Sequence, residues 1–209
     1  MGTEALKDEI SFENVRRGRR LEYFTIGWNL LEAFVSIGAG LIAGSIALIG
    51  FGIDSLIETA SGVILLWRLW EGEKGEEREQ ISLKLVGWSL LALAAYVGFE
   101  GTKSLVMHEE PERSFPGIII AALSLVVMPL LARAKRKVAL GLSSRALVAD
   151  SKQTDICAYL SSILLGGLGL NALFGWWWAD PLAGLVMVPI IVSEGLESLR
   201  GETCSDCHS

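Results

Sequence analysis

The chain has 209 residues, 51% of them apolar, and a formal net charge of −6 at pH 7. That length fits one domain, and an acidic balance spread over links and ends gives no reason to expect nucleic acid. Distribution decides the class: the apolar residues gather into runs of about twenty, long enough to cross roughly 30 Å of hydrocarbon.

Residues 1–15 are polar and acidic, without the apolar core or cleavage pattern of a removable signal peptide, and read as an N-terminal tail. Six apolar runs follow, at 21–46, 47–70, 83–105, 116–133, 146–174 and 177–198. The expected fold is therefore an all-α membrane protein. A bundle of six transmembrane helices occupies 16–200, and 201–209 form a C-terminal tail bearing cysteine and histidine. The link between the first two runs, at Gly44 and Ser45, is short enough for a tight hairpin. Pro129 is expected to kink the fourth run near its end. Gly40, Gly44, Gly166, Gly167 and Gly169 would let helix backbones approach closely.

Basic residues set the orientation. Arg16, Arg17, Arg19 and Arg20 precede the first run, and Arg68, Lys74, Arg78 and Lys84 surround the second link. Arg133, Lys135, Arg136, Lys137 and Arg145 fill the fourth link, whereas the alternate links hold only Lys103 and Arg113. The positive-inside rule then puts both termini in the cytoplasm. The opposite face carries Glu109, Glu110 and Glu112, with Trp176, Trp177 and Trp178 as an interfacial anchor. The expected location is multi-pass, in a bacterial inner (cell) membrane.

Acids inside these runs demand a reason, because a charge at the bilayer centre costs at least about 2.5–3.5 kcal/mol. Asp54 and Glu58 lie one turn apart on one helix face. Three stripes recur at helical spacing: Thr25, Asn29, Glu32 and Ser36; Asp54, Glu58 and Ser61; and Ser151, Asp155, Tyr159 and Ser162. Such stripes should face one another and line a polar cleft. Glu58 and Asp155 each sit ten residues from a basic end, Arg68 or Arg145, which is about 15 Å deep at 1.5 Å per residue.

Carboxylates with hydroxyl or water oxygens suit a divalent cation. With no His or Cys in the set, the soft character that zinc prefers is weakened. The blander alternative keeps these acids neutral, or pairs them with Lys152 and one another, to hold the bundle together. Lys152 is expected to snorkel to the cytoplasmic entrance. Cys157 reads as a small packing residue, Glu100 and Lys103 as an interfacial pair, and His108 as solvated surface.

The segment Asn29-Leu-Leu-Glu32, followed by Gly44-Ser45-Ile-Ala-Leu48 and then Asp54-x-x-x-Glu58, resembles the first two helices of the cation diffusion facilitator family. Ala146-Leu-Val-Ala-Asp150-Ser-Lys-Gln-Thr-Asp155 is similar to that family's fifth helix, and Ala179-Asp180-Pro181 to the start of its sixth. The resemblance covers about residues 15–200. It implies a homodimeric exporter of zinc, manganese, iron, cobalt or cadmium, commonly exchanging metal for protons. It puts the metal ligands at Asp54, Glu58, Ser151 and Asp155. Glu32, Asn29 and Asp150 are further candidates. Ser151 stands where the family has a nitrogen ligand and Glu58 where it has Asp, so a harder or weaker site is expected. The sequence stops soon after the sixth run, without the family's cytoplasmic domain, so dimer contacts are expected from the membrane helices.

The ending Cys204-Ser-Asp-Cys207-His208 matches the C-x-x-C-H pattern of haem attachment. In a short cytoplasmic tail this reads instead as unstructured, or as a cluster capturing soft metal near the entrance. No cofactor is expected. The absence of a nucleophilic triad or a phosphate-cradling loop gives no reason to expect an enzyme. Carboxylates kept from water tend to hold protons, and a divalent metal displaces them because its ligands must be deprotonated. The expected function is secondary active export of a divalent metal by proton antiport. The alternative is a non-transporting membrane protein of the same fold that binds metal or a partner.

Overall fold

The computed structural model describes the backbone of residues 2–71, 76–142 and 145–200, with side chains within 13–67, 84–142, 147–148 and 150–200. Cys204, Cys207 and His208 therefore lie outside the described residues. Six helices follow in order: α1 (Gly2–Ala43), α2 (Ile46–Glu71), α3 (Glu76–Met107), α4 (Phe115–Leu142), α5 (Arg145–Phe174) and α6 (Ala179–Arg200). Each contains a span long and apolar enough to cross a membrane. Six spans bring the two ends of the bundle's chain to the same side, called here the terminal end.

The burial pattern is the reverse of a protein in water. Phe34, Ile42 and Leu173 are 82%, 83% and 79% exposed, while Glu22, Asn29, Glu32 and Glu58 are buried. Hydrocarbon accepts the former and cannot hydrogen-bond the latter. α1 packs on α2 and α4, α3 on α6, and α4 on α5. Phe51, Leu90, Met128, Leu160, Leu164, Met187 and Ile191 meet in the apolar core.

Close helix contact is set by particular glycines. A Cβ on Gly87 of α3 would stand 2.7 Å from the Gly195 carbonyl oxygen of α6, and one on Gly167 would stand 2.6 Å from Ala183 Cβ. Gly166 and Gly169, expected to do the same, meet nothing within 4 Å. Gly167 carries that contact because it is the member of the cluster that turns toward α6.

The expected hairpin is present. α1 ends at Ala43, Gly44 takes φ 67°, and Ser45 caps α2 by accepting the Leu48 amide at 3.1 Å. Ser45 also donates to Asp180 Oδ1 of α6 at 2.5 Å, fastening the turn to the sixth helix. α4 runs through Pro129 to Leu142, so Arg133, Lys135, Arg136 and Lys137 are helical rather than part of a link.

Candidate functional site

α1 presents one continuous polar face. Glu22, Thr25, Asn29, Glu32 and Ser36 are all buried, at the alternating spacing of three and four that keeps side chains in line. Thr25 satisfies itself by donating to Leu21 O at 2.9 Å. Glu32 is held by the indole of Trp28, which donates to Oε1 at 2.7 Å, and by Ser55 Oγ of α2, which donates to Oε2 at 3.1 Å. Cys157 Sγ of α5 lies 4.0 Å from that same Oε2 and close to Glu58.

α2 supplies Asp54 and Glu58, both buried. Glu58 Oε1 accepts from Thr154 Oγ1 of α5 at 3.0 Å. Thr154 and Cys157 are three apart on α5, as Ser55 and Glu58 are on α2, so each pair shares a face. The result is a circuit through three helices: Glu32 to Ser55, across α2 to Glu58, over to Thr154, along α5 to Cys157, and back to Glu32. Glu194 of α6 is buried as well.

A second polar group adjoins the circuit toward the terminal end. Lys135 Nζ of α4 donates to Asp150 Oδ2 at 2.5 Å, Glu22 Oε2 at 3.3 Å and Thr154 Oγ1 at 3.4 Å. Lys135 and Glu22 are wholly enclosed. Buried oxygens remain unpartnered around both groups, namely Glu22 Oε1, Asp150 Oδ1 and Glu58 Oε2, as do both polar atoms of Asn29. Orphans of this kind are rare and costly in native interiors. They are free to accept a proton's bond or to ligate an ion.

The expected α5 stripe is displaced. Tyr159 is 65% exposed, and Ser162 returns its hydroxyl to Tyr159 O. Asp155 turns outward and pairs with Arg136 of α4. Ser151 is buried but donates to Val148 O of its own helix at 2.7 Å. The inward face is instead Asp150, Thr154, Cys157 and Ser161, one position round, a rotation of about 100°. Both faces carry polar residues at helical spacing, so periodicity alone did not separate them.

The structure thus brings Asp54, Glu58 and Glu32 into one neighbourhood, with Asn29 on the same α1 face and Asp150 beside it through Lys135. It does not bring Asp155 there. Sequence reading missed Thr154, Glu22, Lys135 and Glu194, and assigned Cys157 to packing alone. Lys152 is exposed and outside the group. Glu100 and Lys103 pair at 3.1 Å as expected, and His108, exposed, lies tilted against Trp177 with ring centroids 5.0 Å apart. Among the described residues no three His, Cys, Asp or Glu side chains converge tightly enough to ligate one ion in this conformation.

Residues 24–202 match the profile of the cation efflux transmembrane domain, a stretch that takes in the whole circuit. The chain belongs to the cation efflux family. Among proteins of known sequence it is similar to an uncharacterized transporter of Synechocystis, 28% identical over 91% of this chain and 64% of the relative. It also matches an uncharacterized transporter of Methanocaldococcus jannaschii, 28% identical over 78% of this chain and 60% of the relative. Transmembrane protein 163 of Xenopus laevis is 24% identical over 86% of this chain and 65% of that protein. The chain spans less than two thirds of the length of each of these curated relatives. Its six helices of membrane length make it a multi-pass membrane protein of that family.

Proposed function

We propose that this cation efflux protein moves a divalent metal out of the cytoplasm in exchange for protons, with Asp54, Glu58 and Glu32 as the acids that meet the ion. One observation carries the reading: buried carboxyl groups from α1 and α2 are joined by α5 hydroxyl and thiol groups into one circuit inside the span. Buried charge at this depth is tolerated where it serves a pathway. The α5 share falls to Thr154 and Cys157 rather than to Ser151 and Asp155. One thiol among oxygen donors keeps zinc and cadmium within range alongside manganese and cobalt. Metal ligands must be deprotonated, so cargo entering protonated carboxyl groups releases protons as it binds. The terminal end, rich in arginine and lysine, faces the cytoplasm in this reading, and a homodimer would form through membrane helices.

The test is a proteoliposome assay carrying both a metal-sensitive and a pH-sensitive dye. Wild-type protein is expected to give metal flux with opposing proton flux, and Asp54→Asn or Glu58→Gln to abolish both. Metal binding without flux in the wild type would instead establish a non-transporting binding protein of the same fold.

A further inference from the structure

Lys135 is a buried cation that adjoins the circuit. Its ammonium is wholly enclosed between α1, α4 and α5, held by two carboxylates and a hydroxyl: Asp150 Oδ2, Glu22 Oε2 and Thr154 Oγ1. Those are the hard-oxygen donor types that hold metal cations. The Thr154 hydroxyl that accepts from Lys135 is the one that donates to Glu58, so a shift of the ammonium is felt at the next acid along. Glu22, Asp150 and Glu58 each keep one buried oxygen without a partner. Two carboxyl groups hold the ammonium and a third, Glu58, lies beyond Thr154, so the formal negative charge of the three exceeds what one ammonium balances.

We propose that Lys135 is a tethered competitor for the cargo: its ammonium occupies the terminal end of the acid path, and a metal ion engages Glu22, Asp150 and Glu58 only as the ammonium is displaced. The assignment rests on the transport reading above and adds to it a specificity-determining residue. In the empty protein Lys135 supplies charge that spares these acids part of their desolvation cost. In the loaded protein its return helps to expel the ion. A competitor that fills the site most of the time weakens apparent affinity by the fraction of time the site is open. Its removal must therefore tighten metal binding, which is the opposite of what loss of a merely structural ion pair would do.

The test uses the full chain carrying Cys204→Ser and Cys207→Ser to silence the tail thiols, purified in detergent, with zinc and manganese binding measured by equilibrium dialysis. Lys135→Ala is expected to lower the metal Kd about tenfold or more. Propylammonium, which replaces the deleted part of the side chain with its charge, is expected to compete with the metal. 1-Propanol, of like shape and uncharged, is not. Unchanged or weaker metal binding by folded Lys135→Ala overturns the proposal, as does equal competition by the two additives. Lys135→Met keeps the bulk without the charge and is expected to tighten binding as well. Adding Asp150→Asn to it should bring affinity back toward the parent, and a double variant as tight as Lys135→Met removes Asp150 from the shared site. Should these variants fail to fold, saturating zinc on the protein with native Lys135 is expected to raise acetylation of Lys135 by an amine-reactive reagent, and no increase overturns the proposal. None of these readings uses flux. Zinc bound in competition with propylammonium but never moved would defeat the transport reading and leave the role of Lys135 standing.

Discussion

Thr154 and Asp155 are neighbours in the chain with opposite surroundings. Thr154 is buried and bridges Lys135 and Glu58. Asp155 is 34% exposed at its side chain and pairs with Arg136 near the surface. Replacing Thr154 with Val keeps the shape and leaves a buried carboxyl oxygen and a buried ammonium each short of a partner. Thr154→Val is expected to cost about 1–3 kcal/mol. Asp155→Asn removes only a half-exposed pair and should cost at most about 1 kcal/mol. Denaturant titration of both variants in detergent decides between the structural α5 face and the face expected from sequence, since the latter predicts the reverse order. The α1 stripe was legible because its polar residues recur without a rival, and one further step of the same period reaches Glu22. Lys135 was hidden for a different reason. It stands among Arg133, Arg136 and Lys137, so it counted as topology, and its partner Glu22 lies 113 residues away.

At the scale of elements the six spans were plain, because apolar runs of membrane length admit few other structures. What the runs did not reveal was which helices touch. That is decided by small residues, whose meaning depends on the facing surface. Gly87 and Gly195 allow α3 and α6 to meet backbone to backbone, and a side chain on Gly87 would overlap Gly195 O and Leu199. Gly87→Leu is expected to destabilise the bundle by about 1–3 kcal/mol or to separate the two helices. Gly166 faces open space, so Gly166→Ala should be neutral or stabilising by up to about 1 kcal/mol through helix propensity. Thermal unfolding of the two variants by circular dichroism in detergent would check the pair, and equal losses would refute the packing account. The α1–α2 turn obeys the same logic. Ser45 both caps α2 and binds Asp180, so Ser45→Ala should lower stability by about 1–3 kcal/mol, more than the loss of a cap alone.

Among the described residues basic side chains gather toward one end, although Arg113 is exposed at the other. Arg16, Arg17, Arg20, Lys84, Arg133 and Lys137 are exposed toward the terminal end, and Glu109, Glu110 and Glu112 are exposed at the other. Lys135 and Asp150 lie on the terminal side of Glu58, so the acid path runs from the basic end inward to Glu32 and Asp54. Direction of transport therefore depends on which end meets the cytoplasm. The positive-inside rule leads one to expect the basic one. In a chain with Cys157, Cys204 and Cys207 replaced by Ser, a membrane-impermeant maleimide is expected to label Glu110→Cys on intact cells. Lys137→Cys should label only after permeabilisation. The reverse pattern would invert the bundle: metal entering past Lys135 would then come from outside, and export driven by inward proton flow would have no basis. With the expected pattern, the tethered ammonium guards the cytoplasmic mouth. Cargo must displace it there before reaching Glu58, whereas protons arriving from the acidic face meet Asp54 and Glu32 first. That order of encounter is what an exchanger of inward protons for outward metal requires.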